Sequence, residues 1–314
     1  MGKKYFISLL LIHSISIFCF CQEAIFHGQM QYVATWGSRG EGPMQFKEPE
    51  GISTNPSGFI YIADTGNHRI QKINSDGIWV SEIGGFGWEH EQFDHPVAVS
   101  AQNGLDVFVA DYYNQRIERY DKDLHYLASF HSTETWPEYL QFGYPKGIGI
   151  STQGELFCLD GENNRVLKLD VNGNPQLSFG DFNSDAGRLL NPTKLFVDQN
   201  RVFVSDKDMH CIVVFDWYGN FLFKIGEALL ANPAGMSSFL LQFLVVADAA
   251  HGTIFIFKKT GSLVFKLTPI HAAGCKLKEP VDVACWRDRI YILDKKSCAI
   301  HFFRLVTDKD APNP

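Results

Sequence analysis

This chain lacks most of the short signatures that announce a reaction. It has no His-Glu-x-x-His or His-x-His spacing, no Gly-x-Ser-x-Gly elbow and no phosphate-binding glycine loop. The peptidase, hydrolase and nucleotide chemistries those patterns serve find no support. Cysteine is sparse, seven in 314 residues, and none shows Cys-x-x-Cys spacing, which argues against a structural zinc site. Basic runs are also missing: Lys and Arg total 28 against 35 Asp and Glu, a formal net charge of −7. A net anion has no general attraction for phosphate backbones, so a nucleic-acid partner is not expected.

Long apolar runs are scarce too, and the one at the start has a specific layout. Lys3 and Lys4 lead an apolar stretch from Tyr5 to Phe20, and Cys19 and Cys21 stand at −3 and −1 of a cut before Gln22. This is the arrangement of a secretory signal peptide, and the run is short for a spanning helix. Residues 1–21 are therefore read as a signal, 22–30 as a short leader, 31–306 as the folded domain and 307–314 as a tail. The expected location is secreted, extracellular or periplasmic, with no transmembrane segment after cleavage. Losing 1–21 removes two lysines and no acid, leaving 26 basic and 35 acidic residues, a net charge of −9. Five cysteines remain, an odd number that cannot all pair.

What the chain does have is a period. Pro49, Pro96, Pro145, Pro192, Pro233 and Pro280 stand at steps of 47, 49, 47, 41 and 47 residues. Asp64, Asp111, Asp160, Asp206, Asp248 and Asp294 follow them, each about fifteen residues behind its proline. Before each aspartate lies a short apolar strand, such as Phe59-Ile-Tyr-Ile-Ala or Arg289-Ile-Tyr-Ile-Leu. After each comes a β-branched residue, from Ile70 to Ile300, opening another strand. Hairpin signals such as Asn74-Ser-Asp-Gly and Trp217-Tyr-Gly-Asn follow. A further strand comes before the next proline and one more just after it.

Four strands per unit of 40 to 50 residues, six times over, predict an all-β fold: a six-bladed β-propeller of four-stranded blades. In each blade, A follows the proline, B ends at the aspartate, C follows the loop and D precedes the next proline. The sixth repeat stops after its C strand, near Leu305, while Gln31-Tyr-Val-Ala-Thr-Trp-Gly reads as an orphan D strand. The N-terminal strand is thus predicted to complete the last blade, closing the ring and hiding two sheet edges.

The repeat residues carry a resemblance. Ile62-Ala-Asp-Thr-Gly-Asn-His-Arg-Ile, Val109-Ala-Asp-Tyr-Tyr-Asn-Gln-Arg-Ile and Leu159-Asp-Gly-Glu-Asn-Asn-Arg-Val resemble the NHL repeat. The likeness spans about residues 31 to 305 and fades in later blades, where the arginine slot holds Cys211, Thr253 and Ala299. It implies the propeller fold, which hosts many activities. Among NHL-like propellers, peptidyl-hydroxyglycine amidating lyases place a metal-binding His directly after a blade proline. Here that slot holds Glu50, Val97, Lys146, Thr193, Ala234 and Val281, so their zinc set does not carry over. NHL-type ubiquitin ligases use the propeller to bind substrate, and this chain has no RING module of paired cysteines and histidines.

The expected function is that of a secreted, non-catalytic binding or scaffold module for a protein, peptide or glycan, acting as a monomer and without a cofactor. The alternatives are a propeller lyase or hydrolase, and a ligase-like substrate-binding propeller. The repeated Asp and the Arg five residues on are expected to tie each B–C loop by charge-assisted hydrogen bonds. Contacts are expected on the top face, where the B–C and D–A loops fall. Trp88, Tyr112, Tyr113, Trp136 and Tyr139 are the aromatic candidates there. Two residues after each proline the chain is mostly small, as crowding at an axis requires. Lys194 and Asp282 break that rule and are the candidates for a ligand in the central channel. His68, His90, His95, His131 and His210 fall in or beside top loops, without metal-ligand spacing in sequence. Cys275 and Cys298 map to one face of blade 6, where an oxidising compartment would allow a disulfide.

Overall fold

A computed structural model of the protein describes residues 29–267 and 275–306. The segment read as a signal (1–21), most of the expected leader and the expected tail lie outside them. Six four-stranded antiparallel sheets stand around one axis. Blade 1 is Gly51–Thr54, Ile60–Asp64, Arg69–Ile73 and Trp79–Gly84. Blade 2 is Pro96–Ser100, Asp106–Asp111, Arg116–Asp121 and Tyr126–His131. Blade 3 is Pro145–Ile150, Leu156–Asp160, Arg165–Leu169 and Pro175–Phe179. Blade 4 is Pro192–Val197, Arg201–Asp206, Cys211–Asp216 and Phe221–Ile225. Blade 5 is Pro233–Phe239, Phe243–Asp248, Thr253–Lys258 and Leu263–Leu267. Blade 6 takes Pro280–Trp286, Arg289–Asp294 and Ala299–Val306 from the end of the chain and Gln29–Trp36 from its start.

The predicted closure holds residue by residue. Tyr32 pairs with Phe303, Thr35 with His301 and Trp36 with Ile300. The closing strand begins at Gln29, two residues ahead of the predicted boundary, and Met30 is buried in it.

The core lies between blades rather than within them. Six apolar clusters each draw on two neighbouring blades; Phe157 and Leu159 of blade 3, for example, pack with Val204 and Val213 of blade 4. Strands B and C are buried on both faces and read as near-continuous apolar runs, whereas D strands such as Trp79–Gly84 lie at the solvent-facing edge. No blade can bury its own faces alone, which is why the ring must close.

Each repeat aspartate is buried and holds a loop. Its carboxylate accepts the amide of the residue two before the same blade's proline: Lys47, Asp94, Gly143, Leu190, Ala231 and Lys278, at 2.5–3.2 Å. In blades 1 to 3 the predicted arginine adds its Nε, with Arg69, Arg116 and Arg165 at 2.8, 2.9 and 3.0 Å. In blades 4 to 6 the arginine slot is apolar or Thr253, and further backbone amides, those of Met209, Ala250 and Ser297, complete the set. These six carboxylates are pins for the D–A and B–C loops.

The residue four after each aspartate closes its turn in the left-handed region. His68, Gln115, Asn164, His210, Gly252 and Cys298 all have φ between 50° and 59°.

Candidate functional site

The sites follow from a kink in the inner strands. In blades 2 to 6, pairing of strand A with strand B slips just after the proline, as at Pro145/Gly147 and Pro192/Lys194. Such a bulge re-aims side chains that a regular pleat would send to alternate faces. The residue directly after each proline therefore looks into the channel mouth. All six, Glu50, Val97, Lys146, Thr193, Ala234 and Val281, line a top-face cavity of about 510 Å³. A second tier comes from the slot after the repeat aspartates: Thr65, Tyr112, Lys207, Ala249 and Lys295.

The charge in this funnel contrasts with the acidic chain. Lys295 is paired with Glu50 at 2.6 Å. Lys146 and Lys207 have no carboxylate within ion-pair distance among the described residues. Burial lowers the Lys146 pKa, with Asp160 and Asp206 acting the other way. A half-buried ammonium without a close counter-ion is a costly arrangement, which an incoming anion relieves.

The floor of the funnel is Lys194. From blade 4 it reaches across the axis, and its Nζ donates to the carbonyl oxygens of Glu50 and Val97, both at 2.7 Å. These belong to blades 1 and 2, so one side chain ties the far side of the ring and closes the channel. Below it opens a second cavity of about 600 Å³, lined by A–B turns and by Asp282. Asp282 accepts the Ile52 amide at 3.0 Å and its own neighbour's, Val283, at 2.9 Å. Burial pushes its pKa up to about 6, while Lys194 pulls it down. The carboxylate lies in the space left by Gly235, where a Cβ would meet its Oδ1 at 1.8 Å. The other small residues have the predicted reason: a Cβ on Gly51 would stand 3.0 Å from the Ala98 backbone. Both charged exceptions to the small-residue rule are thus axial, as plug and as its lower neighbour.

The aromatic candidates do not form one sector. Tyr112 and Tyr113 touch, with ring centroids 5.0 Å apart, and both line the funnel. Tyr112 also meets Tyr144 at 5.3 Å, and Tyr113 meets His95 at 4.5 Å. Trp136 instead folds under its long loop against Phe142 and the apolar cluster between blades 2 and 3. Trp88 and Tyr139 are exposed on the outer rim, where their backbone carbonyls accept from Arg116 and Ser178. No ring contact links those three to the tyrosine pair among the described residues.

The histidines part in the same way. His210 bonds the Ala231 carbonyl at 2.6 Å, and His90 lies on Tyr126 at 4.2 Å. His68 and His95, from different loops, converge with Asp94. His95 Nδ1 is 2.8 Å and His68 Nδ1 3.7 Å from Asp94 Oδ1. Burial, then His95, lowers the His68 pKa.

The disulfide expected between Cys275 and Cys298 is not formed. Both are free thiols with separate partners: Cys275 Sγ lies 3.2 Å from His301 Nδ1, and Cys298 Sγ donates to the Lys295 carbonyl. Cys298 occupies the buried, left-handed end of its turn, which aims its side chain into the blade.

The sequence reading missed the post-proline tier as a binding surface and missed the lower cavity. A signal for the first was present: the slot directly after the recurring proline changes from blade to blade, while the proline itself does not.

Comparison with known proteins agrees with this architecture. Residues 46–73 match the NHL repeat. The Drosophila melanogaster protein brain tumor is 28% identical over 138 residues, 43% of this chain and 13% of that protein. The Caenorhabditis elegans B-box type zinc finger protein ncl-1 is 28% identical over 133 residues, 41% of this chain and 15% of its own. The chain thus spans a minor part of the length of both relatives. Among solved structures, virginiamycin B lyase from Staphylococcus aureus superposes with a TM-score of 0.60 at 13% identity, over 88% of this chain and all of the lyase. That likeness is one of fold.

Proposed function

Since the chain is a six-bladed propeller of the NHL-repeat family, we propose that it is a secreted binding module that takes an acidic segment of a protein or peptide into its top-face funnel. The observation that carries this reading is the pair Lys146 and Lys207, cationic and without a close counter-ion, in a cavity walled by Tyr112 and Tyr113. A carboxylate there gains charge-assisted bonds at little extra desolvation cost at Lys146, which is already partly stripped of water, while Lys207 is exposed. The tyrosine faces supply flat apolar contact beside it. Lys194 limits how far a ligand can enter, so the ligand presents a side chain or chain end rather than threading the axis.

Export is supported by the two lysines, apolar run and small residues that precede Gln22. Glycans remain the weaker ligand class, since the ammonium groups favour an anion.

The test is a titration of the purified protein with a Glu- and Asp-rich peptide and its Gln and Asn counterpart. The acidic peptide should bind and the neutral one should not. Lys146→Ala with Lys207→Ala should weaken it at least tenfold, with the salt dependence reduced. Equal affinity for both peptides, or undiminished binding by the double variant, would remove the reading.

A further inference from the structure

At the rim of the same funnel, which His95 and Tyr113 also line, three donors converge from two loops. We propose that His68, Asp94 and His95 bind a zinc ion, with one coordination position left open toward solvent beside Tyr113.

The donors meet because both loops are pinned. Asp94 is fixed by its amide on Asp111 at 2.7 Å, and its carbonyl accepts the Tyr113 amide at 3.1 Å. His95 is fixed by the Tyr112 amide on its carbonyl and by Pro96 beyond it. His68 holds the left-handed end of its turn, with its carbonyl on the Gly85 amide at 2.8 Å. Phe86 stands edge-on to the His68 ring at 5.1 Å and Tyr113 to the His95 ring at 4.5 Å, so both imidazoles are held in orientation.

Asp94 Oδ1 lies 2.8 Å from one imidazole nitrogen and 3.7 Å from the other. Tetrahedral zinc with bonds of about 2.0–2.2 Å sets its donors roughly 3.4 Å apart; the two Asp94–imidazole spacings bracket that value, and all three donors lie within 4.8 Å of one another. Imidazole with carboxylate suits zinc, and three protein ligands leave a fourth position for water or a ligand group. In the free protein His95 carries its proton on Nδ1 when it donates to Asp94, and the His95 amide donates to His68 Nδ1 at 3.3 Å. Metal binding requires the His95 proton on Nε2 instead, which neutral imidazole reaches by changing tautomer through solvent. Lys47, near His68, opposes the ion weakly.

The repeat supplies an internal control. The same backbone junction recurs around the ring, and the slots of Asp94 and His95 are filled elsewhere by Gly143 and Tyr144, by Leu190 and Asn191, or by Ala231 and Asn232. The fold therefore does not call for a histidine–aspartate–histidine set here. Among the described residues, no other group of three such donors converges.

The experiment is calorimetric titration of the chelator-stripped full chain with zinc chloride, with cobalt as a spectroscopic stand-in. The expected result is one zinc per chain with micromolar affinity or better. Asp94→Asn, which keeps the hydrogen bond to His95, and His68→Ala should each weaken binding at least tenfold, while His210→Ala changes nothing. Zinc should raise the melting temperature of the wild type but not of Asp94→Asn. Cobalt should give a nitrogen and oxygen spectrum with no thiolate charge-transfer band. No uptake by the wild type, or uptake that persists in both variants, or a thiolate band reporting binding at the free cysteines, would each overturn the assignment.

Discussion

Replacing Arg69 by alanine isolates what the repeated Asp–Arg pair contributes. Its Nε donates to Asp64 at 2.8 Å, one terminal nitrogen to Glu82 at 3.0 Å, and the other to the carbonyls of Gly42 and Gln45 at 2.8 and 2.9 Å. The Arg69 side chain is 9% exposed and that of Asp64 fully buried. Truncation takes one charged donor from the buried Asp64 carboxylate and one from each of two carbonyls, of which Gln45 keeps Gln71 Nε2 and Gly42 keeps the Gln45 amide. Removing one partner of a buried ion pair costs about 3–5 kcal/mol. Asp64 keeps the Lys47 amide, Asn67 and Gln71 as donors, so the lower end, about 3 kcal/mol, is expected. For a domain of this size that lowers the melting temperature by roughly 10 °C. Urea denaturation should show the loss in the midpoint, with little change in slope. Arg69→Lys should not rescue it, because a single ammonium cannot serve all of those acceptors. A melt within about 2 °C of wild type would refute the view that this pair holds the loops.

Lys194→Met keeps the aliphatic stem and deletes both axial bonds; about 2–4 kcal/mol of stability should go, read by urea denaturation, and an unchanged midpoint would count against the plug. The Asp282 carboxyl is raised from 3.8 to about 6 by burial, so its protonated form is favoured in the folded state. Its contribution is fully present below pH ~4 and is lost as pH rises through ~6, at most about 3 kcal/mol. Asp282→Asn should therefore show a flatter stability profile across that window and a gain at neutral pH; parallel curves for wild type and variant would contradict it. In Lys194→Met the same window should move upward, since the ammonium is what holds the carboxyl down.

Much of the fold was legible because it is written six times. The proline and aspartate slots gave strand order, and the missing last strand told where the start of the chain must go; Tyr32 on Phe303 is that inference in atoms. Lys194 and Asp282 stood out because they broke a local rule, and they do lie on the axis. The aromatic loops were not legible. Whether Trp136 turns inward on Phe142 or outward depends on packing within a long loop that has no counterpart in other blades. The His68, Asp94 and His95 group was hidden for another reason. It joins residues 26 and 27 positions apart across a blade junction, a spacing that no short motif reports. The thiol pair erred because a shared face does not set side-chain direction, and the turn at Cys298 points its sulfur inward.

The strand that fastens the ring also fixes the order of assembly. Thr35 and its partner His301 are 266 residues apart. At synthesis rates of roughly 5–20 residues per second, the opening strand waits on the order of 10–50 s for its mate. Five sheets can be complete while this segment has nowhere to dock. Until residues 299–306 emerge, the growing propeller is an open arc with two unpaired sheet edges, the feature that most invites wrong pairing.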